Sequence, residues 1–266
     1  MPLEIFVCVK QTPHPEHFSK ISLDPATGSI QRAGIPSVMN PLDKNAVEEA
    51  LRIREKFSGK VTAISMGPPQ AKEVLEEAYA MGVDEGVLLC DSTFAGADTL
   101  ATAYTLAQAI QKLGRFDLIL CGNESIDGAT GQVGPQLAEF LGIPHITYVT
   151  RLEFQGEREA LATREIEYGY LKVKFRLPAA VTVLKSINQY RLPTVMDIMQ
   201  AAGKEVKTWN CEETGGEKTC LGLEGSPTRV AGLVALQTKR KREILKGSEE
   251  EIARMAVKRL HEYGVI

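Results

Sequence analysis

The sequence predicts an α/β protein with a doubly wound parallel sheet. Apolar runs of strand length recur at Leu3–Val9, Val61–Met66, Gly86–Cys90 and Leu118–Cys121, and segments of helical periodicity separate them. A glycine directly follows the second and the fourth run. Strand, helix, strand repeated in this order gives parallel strands with right-handed crossovers, so helices cover both faces of the sheet.

The first half of the chain supplies these units in order. Leu3–Val9 is β-prone along nearly its whole length, which favours a strand buried on both faces. One helix follows Asp43, a second ends at Gly82, and a third runs from about Asp98 to Leu113. The remaining elements of this half are a helix around 136–140 and a fifth strand at Ile146–Val149.

The pattern of the second half changes to a period of two after Thr150. Two runs flank Gln155-Gly156-Glu157 and predict an antiparallel hairpin, and a further alternating strand is expected at 167–177. Val181–Leu184 predicts a returning buried strand, and Ser248 with Glu251 forms a capping box for a last helix. The predicted domains are 1–200, with its parallel core at 1–150 and the hairpin and returning strand at 151–200, and 201–266, a C-terminal arm and helix.

Composition excludes several classes of protein. Lys and Arg number 31 against 34 Asp and Glu, so no general field attracts nucleic acid or acidic membranes. No run reaches the length of a membrane span, and the first apolar run is too short for a signal peptide. The cysteines are scattered, without a C-x-x-C pair, which is typical of free thiols in a reducing compartment. We therefore expect a cytoplasmic protein.

A doubly wound sheet binds its ligand beyond the carboxyl ends of its strands. Five segments fall there: Cys8–Gln11, Asn40–Asp43, Ser65–Pro68, Ala95–Thr102 and Gly122–Pro135. Ser65 and Met66 suit the edge and the face of an adenine. The glycines of the last segment, and the Thr99 and Thr102 hydroxyls at a helix start, suit phosphates. The sequence predicts an adenine-nucleotide site.

Each of these signals also has a purely structural interpretation. Asp98 is a preferred helix N-cap, and the glycines of the fourth loop serve a tight turn equally well. Neither the dinucleotide fingerprint nor a P-loop occurs. His14 and His17 have no evident third ligand, and no nucleophile elbow exists. We therefore predict no metal site and no catalytic side chain.

Ordered motifs along nearly the whole chain resemble one family. They are Val7–Gln11, Met39–Asp43, Ser65–Pro68, Ile126–Gly128 with Gln132, Arg164–Ile166 and Leu177–Thr182. The chain with these motifs resembles the beta subunit of electron transfer flavoproteins, also called FixA. The resemblance implies a fold like that of the adenine nucleotide alpha hydrolases. It also implies a heterodimer with an alpha subunit that carries a redox FAD.

The resemblance further implies one of two cofactors in the crevice. Respiratory members hold a structural AMP and carry single electrons from acyl-CoA dehydrogenases. Electron-bifurcating members hold an FAD that takes hydride from NADH, and they pass electrons to ferredoxin or flavodoxin and, through the alpha-subunit FAD, to a dehydrogenase or quinone acceptor. Gly96–Thr102 and Gly225–Thr228 resemble the bifurcating branch. We therefore expect FAD, with AMP as the alternative and a non-redox regulatory domain as an alternative of another class.

Carried over by resemblance, the site residues fall into two sets. The cofactor set is Cys8, Val9, Asn40, Pro41, Leu42, Asp43, Ser65, Met66, Gly67, Asp98, Thr99, Thr102, Gly122, Asn123, Glu124, Ser125, Ile126, Asp127, Thr130, Gly131, Gln132, Val133 and Gly134. The partner-binding set is Arg191, Val195, Met196 and Met199, with Val195 at the position of an apolar plug. One departure is Ala129, where many bifurcating members have an acidic residue.

Overall fold

The computed structural model describes residues 2–20, 22–23, 30–31, 34, 36–156, 158–229 and 242–266. Its strands are β1 (Leu3–Cys8), β2 (Gln11–Pro13), β3 (Ser22–Leu23), β4 (Ile30–Gln31), β5 (Ser37–Met39), β6 (Gly59–Met66), β7 (Glu85–Leu89), β8 (Leu118–Gly122), β9 (His145–Phe154), β10 (Glu159–Ile166), β11 (Gly169–Arg176), β12 (Ala179–Val183) and β13 (Lys207–Trp209). Its α-helices are α1 (Pro41–Phe57), α2 (Lys72–Met81), α3 (Thr99–Leu113), α4 (Val133–Leu141), α5 (Val195–Ala201), α6 (Cys211–Thr214) and α7 (Glu249–Glu262). Short 3-10 helices lie at Pro15–Lys20, Pro69–Ala71, Ser92–Phe94, Lys185–Ile187 and Lys218–Cys220.

Nine strands form the main sheet, in the order β11-β10-β9-β12-β8-β1-β6-β7-β13. Every neighbouring pair from β9 to β13 is parallel, whereas β10 pairs antiparallel with both β9 and β11. This arrangement confirms the predicted doubly wound sheet with antiparallel additions. Two small antiparallel sheets, β2 with β5 and β3 with β4, lie outside it.

The order of the strands reverses at β1. The chain passes from β1 to β6 and β7 on one side, and then returns to place β8 on the other side of β1. Connections of successive strands diverge at such a point, which leaves a crevice beyond their carboxyl ends. In the register of the sheet, Cys8 at the end of β1 is opposite Cys121 of β8. The predicted crevice therefore has a defined position, above these two strand ends.

Two apolar layers hold the helices to the sheet. Val7 of β1 and Leu51 of α1 are buried in one layer, which also contains α2 residues. Phe6, one position earlier, belongs to the opposite layer with Ile110 of α3 and Leu137 of α4. The alternation follows from the two-residue period of a strand. Burying one such side chain stabilises the fold by roughly 1.5–3 kcal/mol.

The strand β9 differs from the prediction, which separated a fifth strand from the first arm of a hairpin. Both belong to one strand, and its register shifts against β10 and β12 near Tyr148. Tyr148 has a φ of 57°, which an L residue with a side chain adopts only at some cost. This bulge lets β9 pair parallel with β12 in its first half and antiparallel with β10 in its second.

The chain after residue 200 returns to the sheet. The sequence predicts an arm from Gly203, but β13 pairs with β7 and forms the last strand. The first compact unit runs from Met1 to Leu233, which is later than the sequence boundary at residue 200, and a second runs from Val234 to Ile266. Within the second unit, the predicted capping box of Ser248 and Glu251 opens α7. Among the described residues, no helix is long and apolar enough to cross a membrane.

Candidate functional site

Asp43, in the first turn of α1, joins the ends of β1 and β8. Its Oδ2 accepts from the Lys10 backbone N–H at 2.8 Å, and its Oδ1 accepts from the Gly122 N–H at 3.2 Å and from Asn40 Nδ2 at 2.9 Å. Burial raises the pKa of this carboxyl to about 7, against the opposing effect of these hydrogen bonds. A single buried carboxyl group therefore connects three of the five predicted segments.

Asn40 holds the loop that follows β8. Its Nδ2 donates to the Glu124 carbonyl at 2.9 Å, and its Oδ1 accepts from the Ile126 N–H at 3.1 Å. Asn40 occupies the N-cap position of α1, but its side chain accepts from no N–H of that helix; its one bond to α1 is the donation to the Asp43 carboxylate. Its other two bonds hold the loop.

Lys10, which is not among the predicted site residues, secures the same loop from just beyond β1. Its ammonium donates to Asp127 Oδ1 at 2.7 Å and to Ser125 Oγ at 3.2 Å. Its position directly after β1, within the predicted segment Cys8–Gln11, was the signal that pointed to it. Together Lys10 and Asn40 fix four successive residues of the loop, 124–127.

Two glycines of the loop region are required by close approach of neighbouring atoms. A Cβ at Gly122 would lie 2.3 Å from Asp43 Oδ1 and 2.8 Å from Leu42 Cβ. A Cβ at Gly134 would lie 2.5 Å from Thr182 Cγ2. Because Gly122 has no Cβ, the first turn of α1, including Leu42, packs directly on the end of β8. Because Gly134 has none, the start of α4 packs directly on β12.

Asn123 connects the loop to β12 and β9. Its N–H donates to the Val183 carbonyl at 3.0 Å, and its Oδ1 accepts from Thr182 Oγ1 at 2.9 Å and from the Tyr148 N–H at 3.3 Å. The bulge of β9 is thus held by a predicted site residue. Sequence reasoning missed Thr182, although a threonine within an otherwise apolar buried run was a signal for a polar contact.

The start of α4 has no side-chain cap. Gln132 stands at the N-cap position without a capping bond, and Val133 and Gly134 provide the first helical N–H groups. Gly131, with a φ of 63°, and the exposed Thr130 precede it. Instead of capping α4, the Gln132 amide oxygen accepts from Thr99 Oγ1 at 2.9 Å. The starts of α3 and α4 are therefore linked, and no side chain caps the first N–H groups of α4.

Asp98 uses both carboxylate oxygens within the chain. Oδ1 caps α3 by accepting from the N–H groups of Leu100 and Ala101, at 2.9 and 3.1 Å. Oδ2 accepts from the N–H and hydroxyl of Thr228, at 3.0 and 2.7 Å, and the Asp98 N–H donates to Ser226 Oγ. Burial opposes ionisation, but these bonds hold the pKa of Asp98 below its usual value. Asp98 therefore acts as the N-cap of α3, as its purely structural interpretation predicts, and its second oxygen holds Thr228.

The remaining predicted residues line the strand ends. Val9 is buried, and Cys8 is half-buried against the apolar layer of α3 and α4, as is Met66. The hydroxyl of Ser65 is buried at the end of β6 and has no hydrogen-bond partner in the described part of the chain. The Gly67 N–H donates to the Leu89 carbonyl. Thr102 is half-buried in the first turn of α3.

The predicted partner-binding residues lie apart in two environments. Val195, Met196 and Met199 of α5 are 74, 62 and 66% exposed. Arg191 is instead ion-paired, with Nε 2.8 Å from Glu48 and Nη1 2.7 Å from Glu55. Burial opposes ionisation of Glu48, yet its bonds from Arg191 and Arg52 hold its pKa below the usual value. Arg191 therefore fixes the chain that leads to the exposed face of α5.

Among the described residues, no group of three His, Cys, Asp or Glu is arranged to hold a metal ion. The rings of His14 and His17 are tilted by 55° with their centroids 5.8 Å apart, and His14 lies 3.9 Å from Glu16.

Comparison with known proteins agrees with this fold. Residues 27–214 match the family model described as the electron transfer flavoprotein domain. The chain is 45% identical over 265 residues to the electron transfer flavoprotein subunit beta of Thermoanaerobacterium thermosaccharolyticum, covering 99% of this chain and 100% of the relative. It is 40% identical to the caffeyl-CoA reductase-Etf complex subunit CarD of Acetobacterium woodii, with 99 and 100% covered. It is 39% identical to protein FixA of Bradyrhizobium diazoefficiens, with 94 and 88% covered.

The fold is that of an α/β protein of the doubly wound class, with its strand order reversing at β1. The chain belongs to the electron transfer flavoprotein family, among its beta subunits and FixA proteins, and its role is in electron transfer. The predicted family is confirmed over nearly the whole chain.

Proposed function

We propose that this chain works in the cytoplasm as the beta subunit of an electron-bifurcating flavoprotein, and that its crevice binds the ADP part of an FAD. The observation that carries the proposal is the uncapped start of α4. Its Val133 and Gly134 N–H groups follow a glycine-containing loop at the point where the order of the strands reverses. Free N–H groups at such a helix start favour a phosphate.

One further residue of the crevice fits an adenine nucleotide. The buried Ser65 hydroxyl has no partner among the residues described. A polar atom in this position is usually satisfied, and an adenine edge would supply the missing partner.

Bound FAD would supply hydride acceptance from NADH and onward transfer of electrons to ferredoxin or flavodoxin and to the alpha-subunit FAD. The residues of the chain bind and orient it. Asn40 and Lys10 hold the phosphate loop through the contacts at 124–127. The Thr99–Gln132 bond keeps the two helix starts together. We assign no proton transfer to a side chain.

A respiratory carrier with a structural AMP is the second candidate, and the contacts of Asp98 favour it. The sequence argument for FAD rested on Asp98 and Thr99, but both carboxylate oxygens of Asp98 bond within the chain. Asp98 therefore acts on a cofactor only indirectly, through the segment of Ser226 and Thr228. An AMP needs no contact at this segment.

Anaerobic mixing with NADH distinguishes the two candidates. We expect NADH to bleach the flavin absorbance of the purified heterodimer, because an FAD in the crevice accepts hydride. Nucleotides extracted from the same sample should be FAD without AMP. Flavin that stays oxidised, together with one AMP per heterodimer, would support the respiratory form, and a sample without flavin would support a regulatory domain.

Two surfaces of the chain suit protein partners. We assign the exposed face of α5, with Val195, Met196 and Met199, to a dehydrogenase or a quinone-reducing partner. The relative named as a subunit of a caffeyl-CoA reductase-Etf complex supports a partner that acts on CoA thioesters. We assign residues 201–266 to contact with an alpha subunit, since relatives are named as beta subunits. The exposed apolar residues of α7, such as Val257 and Leu260, support this assignment.

A further inference from the structure

Two cysteines meet on neighbouring strands at the floor of the crevice. Cys8 ends β1, Cys121 lies in β8, and the two are paired residues in the parallel register. Neighbouring strands are about 4.8 Å apart. This spacing lies within the range of roughly 4.4–6.8 Å between the Cα atoms of a disulfide.

Both thiols are on the same face of the sheet. Cys121 is buried in the apolar layer of α3 and α4, and Cys8 packs against that layer from a half-buried position. The adjacent Cys8 thiol, together with burial, raises the pKa of Cys121 well above its usual value. Cys8 is therefore the more accessible of the two thiols, and Cys121 is the one behind it.

The backbone next to both cysteines is held in place. The Lys10 N–H and the Gly122 N–H donate to the two oxygens of Asp43, so a single carboxyl group connects the two strand ends just beyond the thiols. Little chain movement is needed to bring the sulfur atoms together. The other cysteines are elsewhere: Cys211, for example, follows β13, which is four strands away from β8.

We propose that Cys8 and Cys121 form a dithiol site that peroxides oxidise to a disulfide. The Cys8 sulfur attacks a peroxide oxygen, so an S–O bond forms, the O–O bond breaks, and the leaving oxygen takes the proton of the Cys8 thiol to give an alcohol or water. The Cys121 sulfur then attacks the Cys8 sulfur, an S–S bond forms, and the hydroxide leaves with the Cys121 proton as water. Two electrons pass from the sulfur atoms to the peroxide.

Peptide mass spectrometry of the purified heterodimer, from whose crevice bound nucleotide has first been removed, tests this proposal. After hydrogen peroxide treatment, alkylation and tryptic digestion, we expect residues 1–10 linked to residues 116–151, which contain only Cys8 and Cys121 as cysteines. Cys121→Ser should remove the linked peptide and leave Cys8 as a single oxidised thiol. Cys90→Ser is the matched control, because Cys90 is also half-buried but no cysteine is paired with it on a neighbouring described strand. This substitution should leave the link unchanged.

Bound nucleotide should protect the pair, and this second arm rests on the proposed function. AMP at ~10 times its Kd should slow linkage about tenfold if only the empty crevice admits peroxide. Separate sulfinic acids on Cys8 and Cys121, or a link to another cysteine, would overturn the dithiol site. If calorimetry shows that AMP binds but the linkage is not slowed, the cysteine pair does not lie at the floor of the crevice. Failure of AMP and FAD to bind would instead contradict the proposed function and leave the dithiol supported by its link.

Discussion

Asp43 is the residue on which the crevice depends most. Three donors from three segments converge on its carboxyl group, although it is buried. Such a group is costly to ionise, since few water molecules stabilise its charge. The three donors offset part of this cost, so the arrangement ties β1, α1 and β8 together at the price of a raised pKa.

The raised pKa of Asp43 predicts a specific dependence of stability on pH. Its pKa is about 7 in the folded chain and 3.8 ordinarily. Between these values the folded chain retains a proton that the unfolded chain has lost, so the free energy of unfolding falls as pH rises. The whole shift corresponds to on the order of 4 kcal/mol. Chemical unfolding of the wild type and of Asp43→Asn between about pH 4 and 7 measures the slope due to this group.

The comparison for Asp43 concerns slopes and not absolute stabilities. An asparagine amide would face the Lys10 or Gly122 N–H, so the variant is less stable at every pH. The free energy of unfolding of Asp43→Asn should not show the fall with rising pH that Asp43 contributes in the wild type. Parallel curves for the two proteins would show that Asp43 is ionised throughout this range.

Asn40→Ala should weaken both the fold and nucleotide binding. The substitution leaves the Glu124 carbonyl and the Ile126 N–H without their partner, which costs about 2–4 kcal/mol in the free energy of unfolding. We expect at least ~10-fold weaker AMP binding by calorimetry, because the loop must then be ordered on binding.

Asn188→Ala is the matched control for Asn40→Ala. Its amide also bonds to α1, to the Asn45 carbonyl and to Glu49, which lie between one and three turns beyond Asn40, and it makes no bond to the loop at 124–127 among those described. It should lower stability to a similar extent and leave AMP affinity unchanged. Equal losses of AMP affinity in the two variants would mean that Asn40 acts only through general stability.

At the scale of elements, α1 connects the loop after β8 with the segment before α5. Its start holds that loop through Asn40 and Asp43. Its next turns hold the segment before α5, where Asn45 bonds Asn188 and Glu48 bonds Arg191. The exposed face of α5 is therefore built on the same helix that positions the crevice.

Glu48→Gln should loosen the segment before α5. Glu48 is buried and accepts from both Arg191 and Arg52, so loss of its charge should cost about 1–3 kcal/mol. We expect several-fold faster hydrogen exchange at 188–199. Glu55→Gln is the control, because Glu55 also bonds Arg191 but is exposed, and its loss should cost no more than about 1 kcal/mol. Similar exchange in both variants would contradict a positioning role for Glu48.

Asp98→Asn separates the two roles of this side chain. An asparagine oxygen still caps α3, but the amide nitrogen cannot accept from Thr228. We expect normal helix content and faster hydrogen exchange at 226–229, whereas Asp98→Ala should also lose about 1 kcal/mol through the cap. Unchanged exchange at 226–229 in both variants would show that Asp98 does not hold this segment.

The elements were predictable from sequence where their pattern was local. Apolar runs and glycine caps indicated α3 and the central strands, and the capping box of Ser248 indicated α7. The bulge at Tyr148 was not predictable from the sequence, because its cause is the contact with Asn123, 25 residues away. The positions of the crevice loops were likewise predictable from local patterns. The bonds of Lys10 and those between Asp98 and Thr228 were not, because they join residues far apart in the sequence.

At the scale of the whole molecule, one sheet carries every predicted cofactor segment. The reversal at β1 brings β8 beside it, and all five segments follow strands of this sheet or open the next helix. The chain belongs to the electron transfer flavoprotein family over nearly its full length. The central claim is that its own crevice, and not only the alpha subunit, binds an FAD.

The most direct test of this claim counts FAD in three purified heterodimers. The wild type and the Asn188→Ala control should each release two FAD per heterodimer, and Asn40→Ala should retain only the alpha-subunit FAD. These counts follow if the loop held by Asn40 binds the second flavin. One FAD and one AMP in the wild type, or two firmly bound FAD in Asn40→Ala, would contradict it.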